Sequence, residues 1–87
     1  MRFQDRGVLV TGGGSGIGQQ VCYAAAEEGA RVAIGDLDLE RAEATAAEIR
    51  RRRGEAHAFA VDVADPAAAV PFVEAALSAL GRLDVLA

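Results

Sequence analysis

The sequence of 87 residues predicts an α/β fold, a doubly wound parallel sheet running β-α-β-α-β-α-β with expected strand order 3-2-1-4. Three observations predict it. Short apolar runs such as Val8-Leu9-Val10 and Val32-Ala33-Ile34 are continuous rather than alternating, the pattern of strands covered on both faces. Segments of helical spacing separate these runs, and strands joined through helices of this length pair in parallel by right-handed crossovers. A fourth apolar run follows a third helix, and its crossover is expected to place it on the other side of strand one.

The first strand spans Gly7 to Val10 and halts at a glycine cluster. Behind it, Ile17, Val21, Ala24, Ala25 and Glu28 follow helical spacing, with Gly29 as the stop. Residues 31–35 form the second strand, which ends at Asp36. Asp38 is placed to cap the next helix, whose apolar stripe runs Leu39, Ala42, Ala46 and Ile49 before the arginines 50–53 and Gly54 close it. Ala56 to Val63 is the third strand candidate and carries Val61-Asp62-Val63. Asp65-Pro66 reads as an N-cap followed by proline at the first helical position, where a missing N–H costs nothing. That helix is expected to reach Leu80, with Gly81 at its end; Pro71 removes the bond to Ala67 and predicts a kink. Leu83 to Leu86 is the fourth strand, and no linker or low-complexity tract divides 1–87 into more than one domain.

Composition narrows the function. An apolar fraction of 52% argues against disorder, but much of it is alanine, so a thin core is expected. A chain this short buries only about 60–65% of its unfolded surface, which predicts marginal stability. Net charge is −4 and every basic residue is an arginine, a balance that disfavours nucleic acid as a partner. The run Arg50 to Arg53 reads as a solvated helix end favoured by the C-terminal dipole, with Glu48 paired to Arg52. A single cysteine, Cys22, excludes an intramolecular disulfide and a cysteine-rich zinc site; in its alanine-rich surroundings it reads as a buried small hydrophobe. His57 has no second ligand at metal spacing and reads as a surface strand residue. The opening MRFQDRG does not read as a signal peptide, and no run approaches the roughly 20 apolar residues of a membrane span. A cytoplasmic protein without membrane contact is the expectation.

The stretch VTGGGSGIG at 10–18 carries the chemistry. It is not a flexible linker, because it joins an apolar strand to an amphipathic helix. It is not a P-loop either, since that motif needs a lysine and the chain has none. A dinucleotide-binding turn remains. The N–H groups at a helix N-terminus lack partners and carry partial positive charge, and glycines let a pyrophosphate approach the backbone. The common fingerprint with glycines at i, i+2 and i+5 fails in every register; the spacing here is Gly12-x-x-x-Gly16-x-Gly18, preceded by Thr11. Asp36 lies 18 residues after Gly18, at the end of strand two, where a carboxylate can accept hydrogen bonds from ribose hydroxyls.

With these features the chain resembles the N-terminal part of a short-chain dehydrogenase/reductase. The resemblance rests on Thr11-Gly12-x-x-x-Gly16-Ile17-Gly18, on Asp62-Val63, and on Gly81-Arg82-Leu83-Asp84-Val85-Leu86, and it covers essentially the whole chain. It implies a partial Rossmann fold and NAD(P)-dependent hydride transfer between alcohols and carbonyls. It also implies that Gly12, Ser15, Gly16, Ile17 and Gly18 line the pyrophosphate, that Asp36 holds the ribose, and that Asp62 and Val63 contact adenine. NAD is expected over NADP: Asp36 repels a 2′-phosphate, and the positions where NADP-using members place a base hold Ser15 and Leu37.

The family's catalytic set is a tyrosine, a lysine four residues later, a serine and an asparagine. This sequence has no lysine and no asparagine, and Tyr23, with Glu27 four residues on, reads as a packing residue. No catalytic residue is assigned. The expectation is therefore the NAD-binding N-terminal half, truncated, with an open strand-four edge that invites self-association. The alternative is a non-catalytic truncated nucleotide-binding fragment. A methyltransferase front end would also use an acid after strand two, but the glycine spacing and Asp62-Val63 argue against it.

Overall fold

The computed structural model describes residues 3–87. Strands β1 (Gly7–Thr11), β2 (Arg31–Asp36), β3 (Glu55–Ala60) and β4 (Val85–Leu86) alternate with helices α1 (Gly16–Glu27), α2 (Leu39–Arg51) and α3 (Pro66–Leu80). All strands pair in parallel in the order β3-β2-β1-β4, as expected. The reversal of direction falls between β1 and β4, the switch point of the doubly wound sheet.

Successive residues of a strand point to opposite faces, and both faces are covered. Val8, Val10, Val32 and Ile34 turn to one side, against Cys22 and Ala25 of α1 and Ala42, Ala46 and Ile49 of α2. Leu9 and Ala33 turn to the other, where Val61, Phe72, Ala76 and Leu80 form a smaller cluster under α3. Phe72 meets Phe59 edge-on, with ring centroids 5.8 Å apart. Continuous apolarity in the strands follows directly from this double coverage.

Helix ends match local chemistry. The Asp38 carboxylate accepts the Glu40 and Arg41 N–H groups, the Asp65 carboxylate accepts the Ala67 N–H, and Gly81 closes α3 in the left-handed region at φ 83°. Glu48 accepts bonds from both Arg51 and Arg52 at 2.7 Å, and their guanidinium groups hold its carboxyl down at about 2. Arg52 also lies 4.7 Å over the Tyr23 ring, consistent with a packing role for that tyrosine. His57 is half-buried on the β3 edge, with Nε2 3.0 Å from Glu55.

Three sequence expectations need correction. Strand β3 stops at Ala60 rather than Val63. Its partner β2 ends at Asp36; after a last bond from the Val61 N–H to the Asp36 carbonyl, the Asp62 carboxylate accepts the Ala64 N–H and turns the chain away. The regular part of β4 is shorter than expected, Val85–Leu86, because Leu83 packs into the α3 cluster instead. Helix α1 is rotated from its expected face: Cys22 and Ala25 are buried while Ile17 is 84% exposed. The rotation follows from Gly18, where any Cβ would overlap the Gly12 carbonyl, so this small-residue face is the one pressed inward.

Candidate functional site

The site lies at the C-terminal edge of the sheet, where β1 runs into the glycine turn. The turn is first anchored to β2: the Gly35 carbonyl accepts the N–H groups of Gly12 and Gly13 at 2.7 and 3.3 Å. Gly12 and Gly16 then take φ of 68° and 59°, a region that side chains with a Cβ avoid. Those two reversals deliver the chain into α1.

The start of α1 differs from the other two helices. Ser15 holds the N-cap position in extended conformation, yet its side chain makes no capping bond, and no acidic residue occupies the first turn. The first-turn N–H groups of Gly16, Ile17 and Gly18 therefore find no side-chain acceptor, and they carry the positive end of the helix dipole. The stronger N-caps of α2 and α3 are both aspartates that satisfy this need internally. An exposed cluster of unpartnered donors is what an anionic group requires.

Asp36 stands beside this turn. Its Oδ2 accepts the Gly14 N–H at 2.9 Å and its Oδ1 accepts the Asp38 N–H at 2.9 Å. Each oxygen keeps a further lone pair. The glycine turn and Asp36 thus form one hydrogen-bonded unit. Asp62 and Val63 lie just beyond β3, both exposed, with Val61 tied to the Asp36 carbonyl. Leu37 and Val63 are exposed apolar side chains, 76% and 66%, at the ends of neighbouring strands. A cavity of about 320 Å³, with Leu9, Thr11, Val61, Val63, Phe72 and Leu86 in its wall, opens on the α3 side of the same edge.

The structure thus gathers Gly12, Ser15, Gly16, Ile17, Gly18 and Asp36 around one turn, and puts Asp62 and Val63 at the adjoining strand end. Sequence reasoning missed Gly14, whose N–H binds Asp36, and Thr45, whose hydroxyl reaches the turn. A signal existed for each. Gly14 is a glycine that the motif spacing leaves unexplained, and Thr45 is a polar residue inside the buried stripe of α2. Among the described residues no group of three or more His, Cys, Asp and Glu could hold a metal ion. No helix among them is long and apolar enough to cross a membrane.

The short chain dehydrogenase family pattern matches residues 6–87. The chain belongs to the short chain dehydrogenase family. Within that family it is similar to D-threitol dehydrogenase of Mycolicibacterium smegmatis, 44% identical over 85 residues that cover 98% of this chain and 33% of that protein. Among solved short chain dehydrogenase-like structures, a 7α-hydroxysteroid dehydrogenase complexed with NADH and 7-oxo glycochenodeoxycholic acid superposes with TM-score 0.95 and 29% identity. That match covers 98% of this chain and 33% of the other. A 3-ketoacyl-(acyl-carrier-protein) reductase of Brucella melitensis complexed with NADH gives TM-score 0.88 and 40% identity over 97% of this chain and 33% of that one. The chain spans about a third of the length of these relatives.

Proposed function

We propose that residues 1–87 form the NAD-binding N-terminal portion of a short-chain dehydrogenase that moves hydride between alcohol and carbonyl substrates. The observation that carries the reading is the open N-terminus of α1 joined by Gly14 to the Asp36 carboxylate. Two similar proteins have been seen with NADH, which supports a nicotinamide dinucleotide.

In this reading the N–H groups of Gly16, Ile17 and Gly18 hold the pyrophosphate, with Gly12 and Ser15 completing the cradle. Asp36 accepts the adenosine ribose hydroxyls, and Asp62 and Val63 flank the adenine. A bound NAD supplies the hydride acceptor; the chain's own residues bind and orient it. The preference for NAD over NADP rests on charge, because a 2′-phosphate beside Asp36 would meet an ionised carboxylate with Leu37, not a base, as its neighbour. The lack of lysine and asparagine favours, for these residues taken by themselves, binding without turnover. The outer edge of β4 has no strand partner among the described residues, and self-association of the isolated chain through it is proposed.

The test is a titration of the 15N-labelled chain with NADH and NADPH, followed by backbone amide shifts. Expected is NADH binding on the order of 1 mM, about 4 kcal/mol, localised to residues 12–18 and 36. Equal or tighter binding of NADPH overturns the cofactor preference, and saturation by neither overturns dinucleotide binding.

A further inference from the structure

Thr45 is a threonine in the middle of a helix, yet it has no exposed surface. Its hydroxyl donates not within α2 but across to the Gly13 carbonyl at 3.0 Å, and it accepts from Gln19 Nε2 of α1 at 3.2 Å. The Gly13 carbonyl and the Gly14 N–H belong to one planar peptide unit, in which they point in opposite directions. The first is held by Thr45 and the second by Asp36 Oδ2. One plane is thus pinned at both ends. Any rotation that released the Thr45 bond would also swing the Gly14 N–H off the carboxylate.

We infer that Thr45 is a positioning residue for cofactor selection, acting on the Asp36 carboxylate through the Gly13–Gly14 peptide. The inference rests on the NAD-binding reading above and deepens it. Two features of the site support a directional role. The turn must present donors outward to an anion, so its carbonyls need donor partners inside, and Thr45 supplies the one for Gly13. No side chain can take over from position 14, since a Cβ there would lie 2.5 Å from Asp36 Oδ2 and 2.6 Å from the Arg41 Cβ. The carboxylate is therefore held by two backbone N–H groups, those of Gly14 and Asp38, and Thr45 fixes the peptide that carries the first.

The experiment compares Thr45→Val, which keeps the shape and loses the donor, with Thr45→Ser, which keeps the donor. The first readout needs no cofactor. Amide hydrogen exchange at Gly14 should quicken about fivefold in Thr45→Val, the factor expected for one hydrogen bond of ordinary net strength. Gly12, bonded to the Gly35 carbonyl without help from Thr45, should stay unchanged, and Thr45→Ser should restore Gly14. The second readout is the ratio of NADH to NADPH affinity, expected to fall about fivefold in Thr45→Val and to recover in Thr45→Ser. Equal quickening at Gly12 and Gly14, or none at either, overturns the proposal, as does an unchanged ratio. Should Thr45→Val not fold, Thr45→Ala takes its place; if neither folds, Thr45 is a core residue and the proposal falls. If the wild-type chain binds neither dinucleotide, the functional reading fails, and exchange at Gly14 still decides the role of Thr45.

Discussion

Replacing Asp36 with asparagine keeps the volume of the side chain and removes its charge and one acceptor. In the structure both carboxylate oxygens accept a backbone N–H at 2.9 Å, from Gly14 and from Asp38. An amide has one oxygen, so one of the two donors would face an –NH2 group. Hydrogen bonds to a charged group are worth about 1.5–3 kcal/mol each, so losing one to a ribose hydroxyl weakens NADH by about 10- to 150-fold. NADPH responds in the opposite direction. A phosphate of about two charges roughly 5 Å from a carboxylate costs about 2–3 kcal/mol at an effective dielectric constant of about 40–80, and Asp36→Asn removes this term. The net for NADPH is a gain or no loss, so the preference between the cofactors should narrow or invert. Amide-shift titrations at about 20 mM and 300 mM salt measure it, and only the NADPH repulsion should weaken at high salt. Equal losses for both cofactors, or no loss for NADH, would refute the reasoning.

Further predictions concern stability. Asp84 is held near a pKa of about 2 by the Arg82 guanidinium first and then by the Gly7 N–H, bonds that help dock β4 beside β1. Because its folded pKa lies below the ordinary value, its contribution is full above about pH 4 and disappears as pH falls toward 2. Asp84→Asn should therefore melt below wild type at pH 7 and converge with it near pH 2 in a series of thermal melts. Phe72→Ala removes the buried aromatic side chain by which α3 packs on the sheet and should cost about 3–5 kcal/mol, read as a lower urea midpoint. Against a total of about 4–13 kcal/mol for a chain of this length, that loss leaves a partly unfolded population. Cys22 is buried and its thiol is pushed up to about 12 by burial, so it should resist a thiol reagent at pH 8 and react once urea unfolds the chain.

What was legible in the residues was whatever depends on near neighbours. Asp38 and Asp65 cap helices because an aspartate side chain reaches the N–H groups two and three residues on, whatever the rest of the fold does. The apolar runs 8–10 and 32–34 declare strands buried on both faces, and crossover chirality then leaves one economical order, β3-β2-β1-β4. The Gly12, Gly16 and Gly18 spacing likewise marks a turn that needs left-handed φ and close approach.

Tertiary structure decided the rest, because it depends on partners far along the chain. Periodicity gives a helix an apolar side, but α1 has two: Ile17 and Val21 compete with Gly18, Cys22 and Ala25. The contact of Gly18 with the Gly12 carbonyl chose the second. The end of β3 was set by the length of its ladder partner β2, and not by the apolar character of Val61 and Val63. The link from Thr45 through Gly13 and Gly14 to Asp36 joins residues 32 and 22 positions apart, a separation across which no local pattern carries information. The sequence alone determined the glycine turn and placed a carboxylate after β2; packing of α2 against the turn decided the hydrogen bond that holds the Gly13–Gly14 peptide beside that carboxylate.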